Sequence, residues 1–317
     1  MNRDKPDRWK EDTARSVDMY NDWFIALAPE AFRNTRIKAT KAVAGTLKAT
    51  ENLTNIKTTV LRANPAVLPT LRMSTCPPLA VDRLVGLAGV GKNLVGCMEE
   101  GKLPPLMAER ELEIQLQKIS HTIEKLADPD IFVWLGREKS PSLKELYRAA
   151  TIVADRLCSS VANPIIRNAQ EQRQLALIAA WLKARGYRQL PTGEGTRFNA
   201  MRPGTFAFHL NVPAKQEEGE KIINITIDAV VMPKNTSSGD LPLLIEAKSA
   251  GDFTNVNKRR KEEATKIKQL RYTHENRMVF VLFLCGYFDS GYLGYEAAEG
   301  IDWLWEHRID DLAEFGI

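Results

Sequence analysis

Cysteine is scarce in this chain of 317 residues, and the four present (Cys76, Cys97, Cys158 and Cys285) lie far apart. With no CxxC pair and no clustered histidines, a structural zinc site is disfavoured, and reduced thiols in a cytosol are the plain reading. Long apolar runs are missing as well. None approaches the roughly 20 residues that a membrane span requires. The opening MNRDKPDRWKEDTARS is polar and carries acids, which fits neither a signal peptide nor a transit peptide. Excess charge is also absent: a net +4 is small for this length, so only the distribution of charge can argue for a nucleic-acid partner. No internal repeat or low-complexity tract occurs. What is left is a globular composition, 44% hydrophobic and 26% charged, with material for one large domain or two smaller ones.

The first half reads as helical. Val17, Tyr20, Trp23, Phe24 and Leu27 recur at three- and four-residue steps, which predicts a helix from Trp9 to Phe32 that ends near Pro29. A second helix follows over Asn34–Arg62. Its basic residues (Arg33, Arg36, Lys38, Lys41, Lys48, Lys57, Arg62) face one acid, Glu51, and such an excess marks a solvated face or a phosphate-contacting one. Pro65, Pro69, Pro77 and Pro78 predict an irregular linker. GLAGVGK (Gly86–Lys92) has the spacing of a phosphate-binding loop, but Asn93 stands where that motif needs a hydroxyl, and no convincing strand precedes it. A helix junction permitted by glycine is the better reading. Leu112, Leu116, Ile119, Ile123 and Leu126 align one helix over Glu109–Ala127, with His121 as a surface or boundary residue. Another helix is predicted over Ser142–Ser160.

The second half is mixed, and a boundary near Asn163-Pro164 divides the chain into a helical region, 1–162, and a second region, 163–317. A helix over Asn168–Gly186 buries Leu175, Ile178, Ala179 and Leu182, with Glu171 in its first turns, where the helix dipole favours an anion. TFAFHLNV predicts a strand; its His209 receives no role. Ile223, Ile225 and Ile227 then alternate with Asn224, Thr226 and Asp228, the period of a half-buried strand. After the turn formers of Pro233–Pro242, Leu243, Leu244 and Ile245 lead into Glu246-Ala247-Lys248. Two carboxylates and an ammonium beside buried strands need partners, and a divalent cation with a phosphate substrate supplies them. Beyond lies a basic stretch, expected to be helical from near Thr254, where Lys258, Arg259, Arg260, Lys261, Lys266, Lys268 and Arg271 outnumber Glu262 and Glu263. It is placed to meet phosphates. MVFVLFLCGYF predicts a buried strand. Tyr292–Phe315 predicts a helix with Trp303, Trp305 and Leu312 in the core.

This order, with Asp228 followed eighteen positions on by Glu246-Ala247-Lys248, resembles the PD-(D/E)xK nuclease superfamily. Ile227 stands where the superfamily name has Pro. Three longer tracts are similar to the XamI-type restriction endonucleases: SVDMYNDWF, LRMSTCPPLAVDRLVGLAGVGKNLV and EAKSAGDFTNVNKRRKEEA. The resemblance implies an α+β fold with an α/β core: a mixed sheet flanked by helices in the restriction-endonuclease manner, with an all-helical N-terminal region for DNA recognition or dimerisation. It implies a type II enzyme that cuts duplex DNA at a short palindrome, leaving 5′-phosphate and 3′-hydroxyl ends, in a prokaryotic cytoplasm beside a cognate methyltransferase. Cutting both strands of a palindrome calls for two sites, hence a homodimer.

For that chemistry the expected residues are Asp228, Glu246, Lys248 and Glu171. Asp228 and Glu246, with the Ala247 backbone carbonyl, are expected to hold Mg²⁺. Lys248, on the same strand face as Glu246, is expected to orient the attacking water and help it lose a proton, with its own pKa lowered by the site. Glu171 is expected as an outer carboxylate or as a ligand to a second metal. Asn255, Asn257, Lys258, Arg259, Arg260 and Lys261 follow the active-site strand and are the expected DNA contacts. Two other readings stay open from sequence: a structure-specific or repair nuclease of the same fold, and a non-catalytic DNA-binding module.

Overall fold

The structure is a computed structural model that describes residues 1–191, 196–215, 221–237, 239–254, 256–274 and 277–317; the side chains of 257–259 and 261–262 lie outside the described set. The chain divides into two compact units, one formed by Met1–Leu27 with Arg167–Ile317 and the other by Ala28–Ile166. Among the described residues no helix is long and apolar enough to cross a membrane.

The division differs from the one expected at 162/163, because the first 27 residues join the C-terminal unit. They are tied there by specific bonds. The Gly286 N–H donates to Ser16 Oγ at 2.7 Å, Thr13 Oγ1 to the Phe288 carbonyl at 2.9 Å, and Asn2 Nδ2 to the Trp303 carbonyl at 2.8 Å. Trp9 packs edge-on against Trp303, ring centroids 5.4 Å apart. Buried Asp12 takes Arg308 at 2.8 Å and His307 at 3.2 Å. Gly286 has a φ of +104°, and a Cβ there would strike the Ala250 carbonyl, while one at Gly251 would lie 2.7 Å from the Tyr20 hydroxyl. Glycine at both positions lets this helix approach the ends of two strands.

Two predicted helix breaks do not occur. Helix α1 runs unbroken over Pro6–Ala49 with Pro29 inside it, and the next five helices are α2 (Thr58–Ala63), α3 (Leu68–Met73), α4 (Val81–Ala88), α5 (Lys92–Glu99) and α6 (Glu109–Leu126). Helix α7 spans Leu143–Ala184 with Pro164 inside. A proline removes one backbone bond, and the apolar stripes on both sides of each one outweigh that loss. The expected linker at 65–78 contains α3, whose Leu68 and Leu71 are fully buried. Gly89, at φ +60°, closes α4 before α5, so the glycine-rich tract is a helix junction. In the 28–166 unit, Val43, Leu61, Leu71, Leu94, Leu116, Phe132 and Val153 meet in one core.

The other unit is built on a six-stranded sheet in sequential order: β1 (Arg188–Gln189), β2 (Thr205–Lys215), β3 (Ile222–Met232), β4 (Leu243–Ala250), β5 (Phe280–Gly286) and β6 (Asp302–Trp305). Strands β2, β3 and β4 pair antiparallel, whereas β1 with β2, β4 with β5 and β5 with β6 pair parallel. The fold is thus the expected mixed sheet with flanking helices. One sheet face packs on α7 through Ile178, Leu182, Ile245, Val281 and Phe283. The other packs on α8 (Val256–His274) and α9 (Ser290–Ala298) through Ile267, Leu270, Leu282, Leu284, Leu293 and Trp303. Strand β6 replaces part of the helix expected over Tyr292–Phe315. Trp303 and Trp305 are fully buried, as expected, but from a strand. The tract DWLW is too short to declare itself against helical neighbours.

Candidate active site

Strand β4 sets the site. Leu243, Leu244 and Ile245 are buried on both faces, and the run then continues into Glu246, Ala247 and Lys248 without leaving the sheet, since these pair with Leu282, Phe283 and Leu284 of β5. Pleating puts Glu246 and Lys248 on the α8 face, where their side chains meet: Lys248 Nζ lies 3.2 Å from Glu246 Oε1. Ala247 points the other way, and its N–H donates to Asp228 Oδ2 at 2.8 Å. Asp228, Glu246 and Lys248 therefore surround one peptide group.

Asp228 owes its aim to an irregularity in β2. The β2–β3 register is continuous on both sides of His209, yet the pair His209/Asp228 itself drops out of the ladder. His209 has φ +51°, a left-handed conformation that an ordinary side chain adopts only under constraint. On β2 the α8 face is lined by Ala207 and then by Leu210, Val212 and Ala214. The alternation slips by one residue at His209, and on β3 it slips likewise between Ile227 and Val230. The distal hairpin folds onto α8, where the Lys215 N–H donates to Thr273 Oγ1 at 2.7 Å.

Helix α7 supplies Glu171. One turn later, buried Gln174 ties that helix to the site by donating to the carbonyls of Phe283, at 3.2 Å, and Lys248, at 3.4 Å. Glu171, His209 and Asp228 each bring one potential ligand atom within 4.8 Å of the others. The Glu171 and His209 side chains are about half exposed, 3.9 Å apart. His209 is the residue that sequence reasoning passed over. The available signal was the β2–β3 register, which sets it directly across from Asp228, and that register runs through a connection whose length no motif declares.

Electrostatics separates the two acids of the motif. Burial, then the nearby Glu246 charge, pushes the Asp228 carboxyl up to about 6, with the Ala247 N–H pulling the other way. Glu246 is 6% exposed; its Oε1 takes both Lys248 and, at 2.7 Å, Lys266 of α8, while its Oε2 is buried with no hydrogen-bond partner among the described residues. The clustered donors, the carboxylates of Glu171 and Asp228 and the His209 imidazole, suit a divalent cation; Glu246 is not a member of that group. The expectation of a lowered Lys248 pKa is corrected. Burial alone would lower it, but the charges of Glu246 and then Glu263 outweigh burial and hold it above its ordinary value.

Of the expected DNA contacts, Asn255 lies outside the described residues, as do the side chains of Asn257, Lys258, Arg259 and Lys261. Arg260 is described: its guanidinium stacks 3.7 Å from the Tyr295 ring centroid.

With this geometry in place, comparison with known proteins is informative. The model of the XamI restriction endonuclease family matches residues 51–305. The type II restriction enzyme SalI of Streptomyces albus G is 52% identical over 318 residues, covering 100% of this chain and 99% of that one. No solved structure matches the chain.

Proposed function

Because the chain belongs to the XamI restriction endonuclease family, we propose that it hydrolyses both strands of duplex DNA at a short palindrome, with Mg²⁺, leaving 5′-phosphate and 3′-hydroxyl ends. What supports this reading is the convergence of Asp228, Glu246 and Lys248 about the Ala247 peptide. Asp228 and Glu246, with the Ala247 carbonyl, would hold the cation, and the half-exposed Glu171 carboxylate and His209 imidazole stand beside Asp228 on the solvent side. Bound Mg²⁺ supplies charge neutralisation at the phosphate and a lowered pKa for water. Glu246 contributes the oxygen that lacks a partner, Oε2. Asp228 would serve as a ligand in its ionised form. Lys248, kept as an ammonium by its carboxylate partners, donates hydrogen bonds to the attacking water or to a phosphate oxygen, where fixed positive charge lowers the barrier most. It orients rather than abstracts.

A palindrome presents two equivalent phosphodiesters, so the working species is a homodimer, and a methyltransferase acting on the same sequence spares the host genome. The helical unit, Ala28–Ile166, carries the basic surface of residues 33–62 and is assigned to recognition or dimerisation. The test is plasmid digestion. Discrete fragments that depend on Mg²⁺ and vanish with chelator are expected, whereas a smear, or cutting indifferent to chelator, overturns the proposal. Asp228→Ala and Lys248→Ala proteins should bind DNA and cut at least about 1,000-fold more slowly. Sequencing the cut ends gives the site and the overhang.

A further inference from the structure

Among the described residues Lys248 has two carboxylate partners, and only one belongs to the motif. The second is Glu263 of α8, whose Oε1 lies 3.3 Å from Lys248 Nζ. Glu263 is 4% exposed. Its other oxygen accepts from the Tyr292 hydroxyl of α9 at 2.9 Å, a bond that is itself buried. Both carboxylate oxygens are thus fixed, one by a phenol and one by the active-site lysine. We propose that Glu263 is a positioning residue for cleavage, holding the Lys248 ammonium in place through an ion pair independent of Glu246. This rests on Lys248 being the catalytic amine.

Three observations carry it. A buried carboxylate costs several kcal/mol of desolvation unless its partners are well placed, and Glu263 sits where an apolar residue would pack at no such cost. Next, α8 offers Glu263 and Lys266 one turn apart on the face that also buries Ile267 and Leu270. The pairing is crossed: Lys266 answers Glu246, and Glu263 answers Lys248. In the proposed reaction Glu246 turns Oε2 to the cation and divides Oε1 between two ammoniums, whereas Glu263 gives one oxygen to Lys248 and the other to Tyr292. Finally, Tyr292 is held as a donor. Burial, then the charges of Glu263 and Glu296, pushes its hydroxyl far above its ordinary value, and burial lifts the Glu296 carboxyl behind it to about 7. The line from Glu296 through Tyr292 and Glu263 to Lys248 is braced at its far end by α9.

The experiment compares wild type with Glu263→Gln, Tyr292→Phe, Lys248→Ala and the Glu263→Gln/Lys248→Ala double variant on a plasmid that the wild type cuts. Glu263→Gln keeps the shape and the Tyr292 bond but removes the charge. Its kcat should fall about 10- to 100-fold, the weight of one charged hydrogen bond, with KM and the chelator-state DNA Kd within about threefold of wild type. Tyr292→Phe, which preserves the charge and loosens only its aim, should lose about three- to tenfold in kcat. On the Lys248→Ala background Glu263→Gln should cost nothing further, because a positioning residue acts only through what it positions. A Glu263→Gln protein with wild-type kcat overturns the proposal, as does one whose loss appears equally in DNA binding, or one whose penalty persists without Lys248. If Lys248→Ala itself cuts normally, the reading of the site fails as well. An inactive Lys248→Ala beside a normal Glu263→Gln removes the Glu263 proposal alone. Should Glu263→Gln melt at a much lower temperature, Tyr292→Phe decides by the same kcat criterion.

Discussion

The two motif acids of the candidate active site live under opposite conditions. Glu246 faces α8 and has two ammoniums, Lys248 and Lys266, on a single oxygen. Asp228 has one backbone N–H and, around it, Glu171, His209 and the Glu246 charge. The first carboxylate is compensated by the protein itself. The second is not, and its pKa rises to about 6. The difference teaches where a cation fits: among the described residues no cationic side chain hydrogen-bonds to Asp228, and the Lys248 charge opposes the rise without outweighing burial and Glu246, so that is where an added cation gains most.

The sharpest way to break the comparison is Asp228→Asn, which removes the uncompensated acid while keeping its shape. Cleavage should fall about 1,000-fold or more, because a ligand charge is lost. Stability should move the other way. The folded pKa of Asp228 lies above its ordinary value of 3.8, so its contribution is fully present below about pH 3.8 and is lost as pH rises through about 6. Above that the ionised group weakens the cation-free fold by roughly 1–3 kcal/mol. In chelator the Asn protein should melt a few degrees above wild type at pH 8, and the gap should shrink toward pH 4. Equal melting temperatures at both pH values would remove the contrast.

His209 tests what the uncompensated side is for. If it completes the ligand set, His209→Ala should weaken Mn²⁺ binding about tenfold, as measured by calorimetry, and Mg²⁺ binding far less, because imidazole favours the softer ion. His209→Gly makes the same deletion and also relieves the left-handed backbone, so it should melt above His209→Ala, by roughly 1 kcal/mol of stability. Identical Mn²⁺ affinity in all three proteins would leave the imidazole a bystander.

How much of this was legible follows the same division. Glu246 and Lys248 are neighbours in sequence, and a two-residue spacing on a strand fixes a shared face, so their meeting could be read directly. Asp228 could be placed by alternation, but not its protonation, which comes from burial against β4. His209 depended on the register of a long hairpin. Glu263 and Lys266 were visible only as members of a charged run. Counting charges treats Glu263 as an outvoted acid, whereas α8 buries it and turns it onto Lys248. The N-terminal helix was legible as a helix, and its docking against Gly286 through Ser16 was not. Pattern declares periodicity; partners across the fold need the fold.

The smallest effect is expected on the compensated side, from Lys266→Met. Lys266 Nζ donates to Glu246 at 2.7 Å and to the Thr226 carbonyl at 3.1 Å, and its side chain is 21% exposed. In the cation-free protein it holds Glu246 Oε1, next to the Oε2 proposed for the metal, and its charge repels an incoming cation. Its removal should therefore tighten divalent cation binding. The gain is modest, because Lys248 still holds the same oxygen and solvent screens a partly exposed pair; a term of about 1 kcal/mol corresponds to roughly fivefold. Calorimetric titration with Mn²⁺ reads it directly. Weaker binding in Lys266→Met would mean that Lys266 holds the Glu246 carboxylate in the position the cation needs, and the compensated acid would then depend on its lysines more than the uncompensated one depends on a cation.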